Sequence, residues 1–347
     1  MQKYEQIYDF DNLLESANDC ERGVRWKASV QSFDITKYRR CAALKNELED
    51  GTYKSRGFHE FTINERGKTR HIQSVHITER CVQKSLCNNV LKPEIRNKLI
   101  YDNAASLKGR GTDFALHELT KHLEKHYRKH GRQGAILLID FKNYFGNIDH
   151  DKLLELYNNT FEDKRIYYFM KQFVEAFDEG LGLGSEISQI SAIYFPNVID
   201  HYIKEQLHIK GYGRYMDDSY LIHEDIDYLR YCLKIIEQMC TKLGIILNTK
   251  RTMIVPLTKC FVYLKKRVIL QENGRISMRL LRKNIANRRR KLKAQKEQLI
   301  EGKLTMATIS QSYQSWRGYA AKYDSYKTLQ SMDKLYFELF GEKPERK

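Results

Sequence analysis

The stretch GYGRYMDDSYLIHE, residues 211–224, places a pair of aspartates between two short runs of mostly apolar residues. Two such runs joined by a tight turn are typical of an antiparallel hairpin. Asp217 and Asp218 would then lie at the turn. Two adjacent carboxylates at a hairpin tip repel each other unless a cation shares them. The stretch therefore predicts a cation site at the edge of a sheet.

A further acid follows an apolar run upstream. AILLID, residues 135–140, has the pattern of a buried strand that delivers Asp140 to a cleft. Carboxylates gathered at strand ends form an oxygen-rich site suited to Mg²⁺. Two such ions, about 3.5–4 Å apart, activate an attacking hydroxyl group and stabilise the leaving oxygen in phosphoryl transfer. For Asp140 taken alone, a solvated turn residue is an equally good interpretation.

The composition favours a folded protein with a polyanionic partner. Of 347 residues, 41% are hydrophobic and 4 are proline, so a sizeable core is expected and wholesale disorder is excluded. The net charge of +16 favours nucleic acid or an anionic membrane face. No uncharged apolar run approaches the roughly 18 residues of a membrane span, and the acidic start does not resemble a signal peptide. We therefore expect no membrane partner and no secretion.

Cysteine usage agrees with a cytoplasmic location. There are seven Cys, an odd number, and none forms a CxxC pair. Neither a zinc ribbon nor a thioredoxin-type site is indicated. We expect small core residues or inert thiols in a reducing compartment.

The remaining patterns predict strands mixed with helices, followed by a basic helical tail. Residues 1–60 look helical, and residues 57–75 alternate like a hairpin. TERCVQKSLCNNVL, residues 78–91, has helical periodicity, and Pro93 is expected to stop that helix. Residues 281–300 carry eight Lys or Arg against one Glu on a helix-favouring background.

The second half carries further elements. A helix rich in aromatics and a glycine-rich loop, residues 179–189, are expected between the two acidic motifs. A helix is expected through residues 225–243, and strands over 243–255 and 259–280. The last stretch would turn at Asn273-Gly274.

Together these motifs resemble a reverse transcriptase. YMDD at 215–218, with Asp140 upstream in DFKNYF, looks like the catalytic pair of that family. Other blocks resemble its motifs in the same order over roughly residues 55–270, and their joint order is more specific than any one of them. They are ERGKTRHI (65–72), NAASLKGRGTDFAL (103–116), GLGLGSEISQ (180–189), LGIILNTKRT (243–252) and FVYLKKR (261–267).

The resemblance implies an α+β fold, a right-hand polymerase with fingers, a palm of antiparallel sheet backed by helices, and a helical thumb. The implied activity is RNA-directed DNA polymerase, a nucleotidyltransferase that uses template RNA and dNTPs and makes cDNA. The implied boundaries are a helical extension at 1–54, fingers at 55–135, a palm at 136–275 with part of 146–180 returning to the fingers, and a basic thumb at 276–347.

The resemblance also implies site residues. Asp140, Asp217 and Asp218 would be catalytic and would hold two Mg²⁺ ions, or Mn²⁺, with Phe141 contributing its backbone carbonyl. Phe145 would lie under the sugar, where a ring clashes with a 2′-OH and so favours dNTPs. The alternative to a role in sugar selection is that Phe145 is an ordinary core aromatic, in a helix that also holds Tyr144.

Two further groups of residues would bind substrate. The family usually places Lys where Arg251 stands, and Lys68 could equally be a solvated hairpin charge. A solvated face is the alternative for the basic helix at 282–296. The nucleotide-binding group would be Lys68, Arg70, Phe145, Leu183, Gly184, Gln189, Lys250 and Arg251. The nucleic-acid-binding group would be Tyr215, Met216, Tyr263, Lys265, Arg288, Arg289, Arg290 and Lys293.

The positions at which this sequence departs from the family pattern indicate which members of the family it resembles. Retroviral and group II intron enzymes typically read PQG and then SP where this chain has Gly182-Leu183-Gly184 and then Ser188-Gln189. This resembles enzymes of diversity-generating retroelements and bacterial unknown-group or defence-associated relatives. Leu183 cannot hydrogen-bond a nucleotide as Gln would, so relaxed fidelity is expected. Leu264-Lys265 stands where Leu-Gly is usual.

Several biological roles stay open. We favour a retroelement enzyme that copies a structured RNA, with a defence enzyme acting with a non-coding RNA as the alternative. An accessory protein or a second copy of the chain would be a further partner. A retron enzyme is less favoured because the thumb lacks a clear Val-Thr-Gly. An RNA-dependent RNA polymerase and a non-catalytic RNA-binding relative are the remaining alternatives.

Three histidines look like a metal motif without being one. His122, His126 and His130 share a helix face at i, i+4 and i+8. No cysteine or acidic cluster accompanies them, and their neighbours are Lys and Arg. The pattern favours a solvated basic face near the template.

Overall fold

The structure is a computed structural model that describes residues 3–65 and 68–344, without the side chains of Glu65, Lys68 and Arg70. The N-terminal part is helical, as expected, and leads into a two-stranded antiparallel hairpin. Its elements are α1 (Glu5–Tyr8), α2 (Phe10–Glu21), α3 (Ala28–Ile35), α4 (Lys37–Glu49), β1 (Phe58–Glu65) and β2 (Lys68–Val75).

The helix that follows the hairpin does not stop where the sequence suggested. We expected Pro93 to end it, and this was wrong. Helix α5 (Ile77–Leu86) continues through a π-helical turn (Cys87–Leu91) into α6 (Lys92–Arg96). Pro93 lies in the first turn of α6. Proline is tolerated there because its missing N–H would lack a helical partner anyway.

A four-stranded antiparallel sheet lies at the centre of the molecule, in the order β4-β5-β3-β6. The expected buried strand at AILLID and the expected hairpin at 211–224 are both confirmed. The strands are β3 (Ala135–Asp140), β4 (Gly211–Tyr215), β5 (Asp218–His223) and β6 (Met253–Pro256). The helices around them are α7 (Thr112–His130), α8 (His150–Thr160), α9 (Lys164–Glu175), α10 (Glu186–Tyr194), α11 (Asn197–Glu205) and α12 (Ile226–Leu243).

Strand β3 is buried on both faces because its side chains alternate between two cores. Leu137 and Ile139 enter the larger core, which extends to the N-terminal helices. Ile136 and Leu138 enter a smaller core with α7. A strand between two packed layers reads as a continuous apolar run.

The strand expected over residues 243–255 is shorter than predicted. Gly244 ends α12 in a left-handed conformation, with φ +76°. Residues 245–252 then form no strand, although Leu247 makes an isolated antiparallel bridge with Phe141, and β6 pairs with β3. Apolar residues such as Ile245 and Leu247 pack against the larger core without forming a strand.

The last third forms a small sheet and three helices. The hairpin turn at Asn273-Gly274 is confirmed, and the basic segment after residue 281 is helical as expected. The final helices share a core that includes Leu292, Tyr313 and Tyr336. None of the described helices is long and apolar enough to cross a lipid bilayer. The elements are β7 (Phe261–Tyr263), β8 (Lys266–Leu270), β9 (Ile276–Leu280), α13 (Arg282–Ile300), α14 (Met306–Ala321) and α15 (Tyr326–Phe340).

A buried ion pair connects the central hairpin to the helices behind it. Arg214 on β4 and Asp200 on α11 have side chains that are each 1% exposed. The guanidinium donates to both carboxylate oxygens, and Tyr212 donates its hydroxyl to the same carboxylate. Arg214 also donates to the carbonyls of Ile193 and Met216. The pair therefore fixes the turn of the hairpin against α10 and α11.

Removing the charge of Asp200 should destabilise the whole protein. Asp200→Asn leaves a buried guanidinium without its counter-ion, which typically costs about 3–5 kcal/mol of unfolding free energy. Asp227→Asn breaks the exposed pair with Arg230 and should cost less than about 1 kcal/mol. Urea denaturation monitored by circular dichroism measures both. Equal losses in the two variants would contradict this role of the pair.

Candidate active site

The three acidic residues of the two motifs converge at one edge of the central sheet. Asp140 is the last residue of β3 and pairs in register with Asp218, the first residue of β5. Asp217 occupies the turn between β4 and β5, and its carbonyl accepts the N–H of Phe141 at 3.2 Å. Asp140 is 5% exposed. Strand pairing thus brings residues almost eighty positions apart into contact.

The pKa of Asp218 reflects the closeness of the three carboxylates. Burial, together with the neighbouring carboxylates of Asp217 and Asp140, raises the pKa of Asp218 to about 7. Burial disfavours the charged form, and nearby like charges disfavour it further. The edge of the sheet therefore holds more negative charge than it can keep ionised without a cation.

Asp140 already has two partners of its own. Asn248 donates from Nδ2 to Oδ1 at 2.6 Å, and Arg251 donates from Nη1 to Oδ2 at 2.8 Å. Both belong to the segment after α12. The side chain of Arg251 is 63% exposed, so only its tip is engaged. Lys250 is exposed beside it, and its N–H bonds the Asn248 side chain at 3.2 Å.

The donor set fits the divalent cations that the sequence predicted. Carboxylate oxygens are the ligands that Mg²⁺ and Mn²⁺ prefer. The raised pKa of Asp218 shows that added positive charge would be stabilised there. Asp140, Asp217 and Asp218 are the residues that would hold it.

Phe145, five residues after Asp140 in the sequence, is held by the glycine-rich loop. It begins a short 3-10 turn (Phe145–Asn147) and is therefore not part of an α-helix. Its side chain is partly buried against the larger core. Its carbonyl accepts the N–H of Leu181 at 2.7 Å. Gly180 has φ +57°, and a Cβ there would lie 2.4 Å from the same carbonyl oxygen. Only glycine allows the loop to approach Phe145 this closely.

The same loop also contacts the N-terminal hairpin. The Leu183 carbonyl accepts the N–H of Gln73 on β2 at 3.3 Å. Gly184 and Gln189 border a cavity of about 370 Å³ together with Ser106, whose hydroxyl donates to the Gln189 side chain at 3.4 Å. Two motifs of the sequence, 103–116 and 180–189, therefore meet around this cavity. The side chains of Lys68 and Arg70 lie outside the described part of the structure.

Four of the predicted nucleic-acid contacts lie on the β4–β5 hairpin or on the neighbouring β7–β8 hairpin. Tyr215 and Met216 are partly buried at the turn of the β4–β5 hairpin, and Met216 has φ +55°. A second cavity, also about 370 Å³, lies between this hairpin and β7 and is bordered by Asp218, Tyr263 and Lys265. Lys265 is exposed at the β7–β8 turn with φ +62°.

Of the four predicted basic contacts on α13, one is buried and three are exposed. Arg289, Arg290 and Lys293 are exposed, as nucleic-acid contacts must be. Arg288 is only 7% exposed, because it shares the inward face of α13 with Leu292. Its guanidinium lies 5.6 Å from the centre of the Tyr313 ring and donates to the Ser312 hydroxyl. Arg288 therefore packs in the helical core and is not presented to a ligand.

The expectation for the three histidines of α7 was wrong. Asp102 and Glu118 do accompany His122, with ligand atoms all within 4.8 Å of one another. His126 is 8% exposed, so the face is not solvated. The sequence could not show this because Asp102 comes from a separate turn. Lys204 contacts Asp102 at 2.7 Å and Lys121 contacts Glu118 at 2.8 Å, so the two carboxylates already have counter-ions.

Sequence reasoning also missed partners that position the site. Asn248 lies in a recognised motif but was not singled out, although it contacts Asp140. Glu186, at the start of α10, bonds Lys84 and Lys92. A contact between residues about a hundred positions apart leaves no local pattern in the sequence.

An antiparallel sheet with three carboxylates at one edge, backed by helices, defines the class as a nucleic-acid polymerase palm. The sequence matches the family model of reverse transcriptase (RNA-dependent DNA polymerase) over residues 59–272. The chain belongs to this family. No curated protein matches its sequence.

Solved structures with a similar fold include telomerases. The telomerase of Candida albicans, in complex with a TWJ fragment of telomeric RNA, superposes with a TM-score of 0.54 at 12% identity, over 83% of this chain and 61% of that one. Apo telomerase from Candida tropicalis gives 0.52 at 12% identity, over 65% and 49%. This chain thus spans less than two thirds of those proteins. The expected α+β polymerase fold is confirmed.

Asp218→Asn should change how stability depends on pH. The wild-type carboxyl has a pKa of about 7 when folded and an ordinary value of 3.8. Its contribution to stability is therefore present below pH 3.8 and lost as the pH rises through 7. In EDTA, the melting temperature of the wild type should fall relative to Asp218→Asn between pH 5 and pH 8.

Added Mg²⁺ should reverse that fall for the wild type and leave Asp218→Asn nearly unchanged. Asp227→Asn, at a side chain that is 84% exposed, is the matched control and should follow the wild type. Differential scanning calorimetry gives all the values. If the melting temperatures of Asp218→Asn and the wild type changed with pH in the same way, the repulsion among the three carboxylates would be refuted.

Proposed function

We propose that this protein copies an RNA template into DNA by two-metal nucleotidyl transfer. The observation that carries the proposal is the register pair of Asp140 and Asp218, with Asp217 in the adjoining turn, in a chain of the reverse transcriptase family. Template RNA, dNTPs and the cDNA product are its proposed partners.

Each residue has a task that follows from its place. When bound, the divalent ions would supply a charge for the triphosphate and activate the primer hydroxyl. Asp140, Asp217 and Asp218 hold that charge at the edge of the sheet, with the Phe141 carbonyl beside them. Phe145 lies under the sugar and excludes a 2′-OH. A cation held by Asp140 would replace the contact with Arg251, whose exposed guanidinium would then be available to the departing pyrophosphate.

The exposed basic residues of α13 are the next part of the proposal. Arg289, Arg290 and Lys293 lie on the exposed side of α13, which follows directly after the β7–β9 sheet. We propose that they hold the duplex by its phosphates, with Lys265 nearer the primer end. Such contacts depend strongly on salt and weakly on sequence. The division into a helical extension, fingers, palm and thumb at the boundaries given above is part of the same proposal.

For the biological role we favour a diversity-generating retroelement, with a structured RNA as template. Gly182-Leu183-Gly184 supports it, together with the relaxed fidelity expected from Leu183. The same motif also fits an anti-phage defence enzyme that acts with a non-coding RNA, which is the second candidate. An accessory protein or a second copy of the chain would be a partner in either role. A cytoplasmic location is part of this proposal.

The polymerase activity has a direct test. With an RNA template, a DNA primer, Mg²⁺ and dNTPs, the protein should extend the primer. Asp217→Asn should lower the rate by about a hundredfold to a thousandfold, because a group that stabilises charge in the transition state is lost. Asp227→Asn should retain the wild-type rate. Preference for rNTPs would indicate an RNA polymerase, and an unaffected Asp217→Asn would overturn the assignment of the metal ligands.

The sugar gate has its own test. Phe145→Ala should lower the ratio of kcat/KM for dNTPs over rNTPs by about 10- to 100-fold, since a lost steric clash is worth a few kcal/mol. Tyr168→Ala removes an exposed aromatic on α9 and should leave the ratio unchanged. Single-nucleotide extension with each substrate measures it. An unchanged ratio in Phe145→Ala would place Phe145 among ordinary packing residues.

A further inference from the structure

A cavity rich in histidine and lysine lies at the open end of the β4–β5 hairpin, away from the acids. Its volume is about 250 Å³, several times the roughly 30 Å³ of one water molecule. Of the described residues that line it, five are histidines, three are lysines and one is a glutamate. His223 lies five positions after Asp218 on β5, which is about 17 Å of strand. The cavity is therefore separate from the catalytic edge.

The lysines approach the cavity from two elements. Lys125 and Lys129 are one turn apart on α7, and Lys210 precedes β4 beside His208. All three lysines are exposed, and no ion pair of theirs is found among the described residues. Their ammonium groups are therefore available to an anion.

The histidines have two different environments. His122 contacts the Tyr220 hydroxyl and the Asp102 carboxylate, so both its nitrogens have partners. His126 places Nε2 2.7 Å from the carbonyl oxygen of Gln133, to which it donates. Burial lowers the pKa of both imidazoles, so they are neutral at pH 7. They form the wall of the cavity.

His130 and His223 lie nearer the opening. Each places Nε2 3.8 Å from the same Glu224 carboxylate oxygen. The charged groups that face these two rings are Glu224 from the end of β5, Lys129 from α7, and Lys210 with His208 from the preceding loop. Asp102, Glu118 and Lys204 lie on the far side, around His122.

We propose that this cavity binds a phosphate group, carried by a phosphodiester of bound RNA or by free phosphate. Ammonium and imidazole N–H groups are donors without competing acceptors when protonated, and a tetrahedral oxyanion offers them several oxygens. The lysines supply positive charge, and the imidazoles of His130, His208 and His223 add N–H donors.

The test uses the full chain with its catalytic cleft saturated by a template–primer duplex, in EDTA. The two probes are inorganic phosphate and a labelled hexauridylate, each titrated at pH 7. Lys125→Gln/Lys129→Gln/Lys210→Gln should weaken binding at least tenfold. Lys234→Gln/Lys242→Gln/Lys259→Gln removes three exposed charges elsewhere and should stay within twofold of the wild type.

The second measurement titrates His130→Gln/His223→Gln with hexauridylate at pH 7. Binding should weaken several-fold, because two N–H donors are lost from the cavity. Primer extension by each variant on a preformed duplex confirms that it is folded. A loss in the hexauridylate arm assigns the site to RNA, and a loss only with inorganic phosphate assigns it to free phosphate. Equal affinity of the first lysine variant and its control in both arms would overturn the proposal.

Discussion

The structure depends on the pairing of β3 with β5, which sets Asp140 opposite Asp218. Strand residues alternate between faces, so a slip of one residue would send one carboxylate to the other side of the sheet. The slip is prevented because β3 is buried on both faces and pairs with β6 on its other edge. The apolar side chains of β3 therefore position the acids, and the repulsion between the acids is balanced by the burial of the strand.

The hairpin that carries the aspartate pair is held from behind as well as from the side. Arg214 donates to Asp200 and to the Met216 carbonyl, so one guanidinium joins α11 to the turn. A buried pair of this kind adds little net stability compared with apolar packing, but breaking it is costly. The pair acts mainly by fixing geometry. Its hydrogen bonds are directional, and one of them holds the turn in which Met216 has a positive φ. The edge of the sheet that carries the acids is thus held from the side of α10 and α11.

Local pattern was enough to predict the elements that carry the acids. An apolar run ending in Asp140 and two short runs around Asp217 and Asp218 have the period of strands, and strands are what form. Local pattern failed where distant residues decide the outcome. Arg288 is buried because α14 supplies Tyr313. The partners of His122 and Asp140 come from segments about twenty and a hundred residues away, which no window of sequence contains.

The β4–β5 hairpin carries opposite charge at its two ends. Carboxylates crowd its turn, and imidazoles and ammonium groups surround its open end. The ends are about 17 Å apart along β5, which exceeds the Debye length of about 8 Å at physiological ionic strength. Through solvent, the two ends therefore influence each other little, and phosphate at the basic end would not alter the affinity of the acids for cations. A ligand there would act by holding nucleic acid against the back of the hairpin, which changes binding and leaves the chemical step as it is.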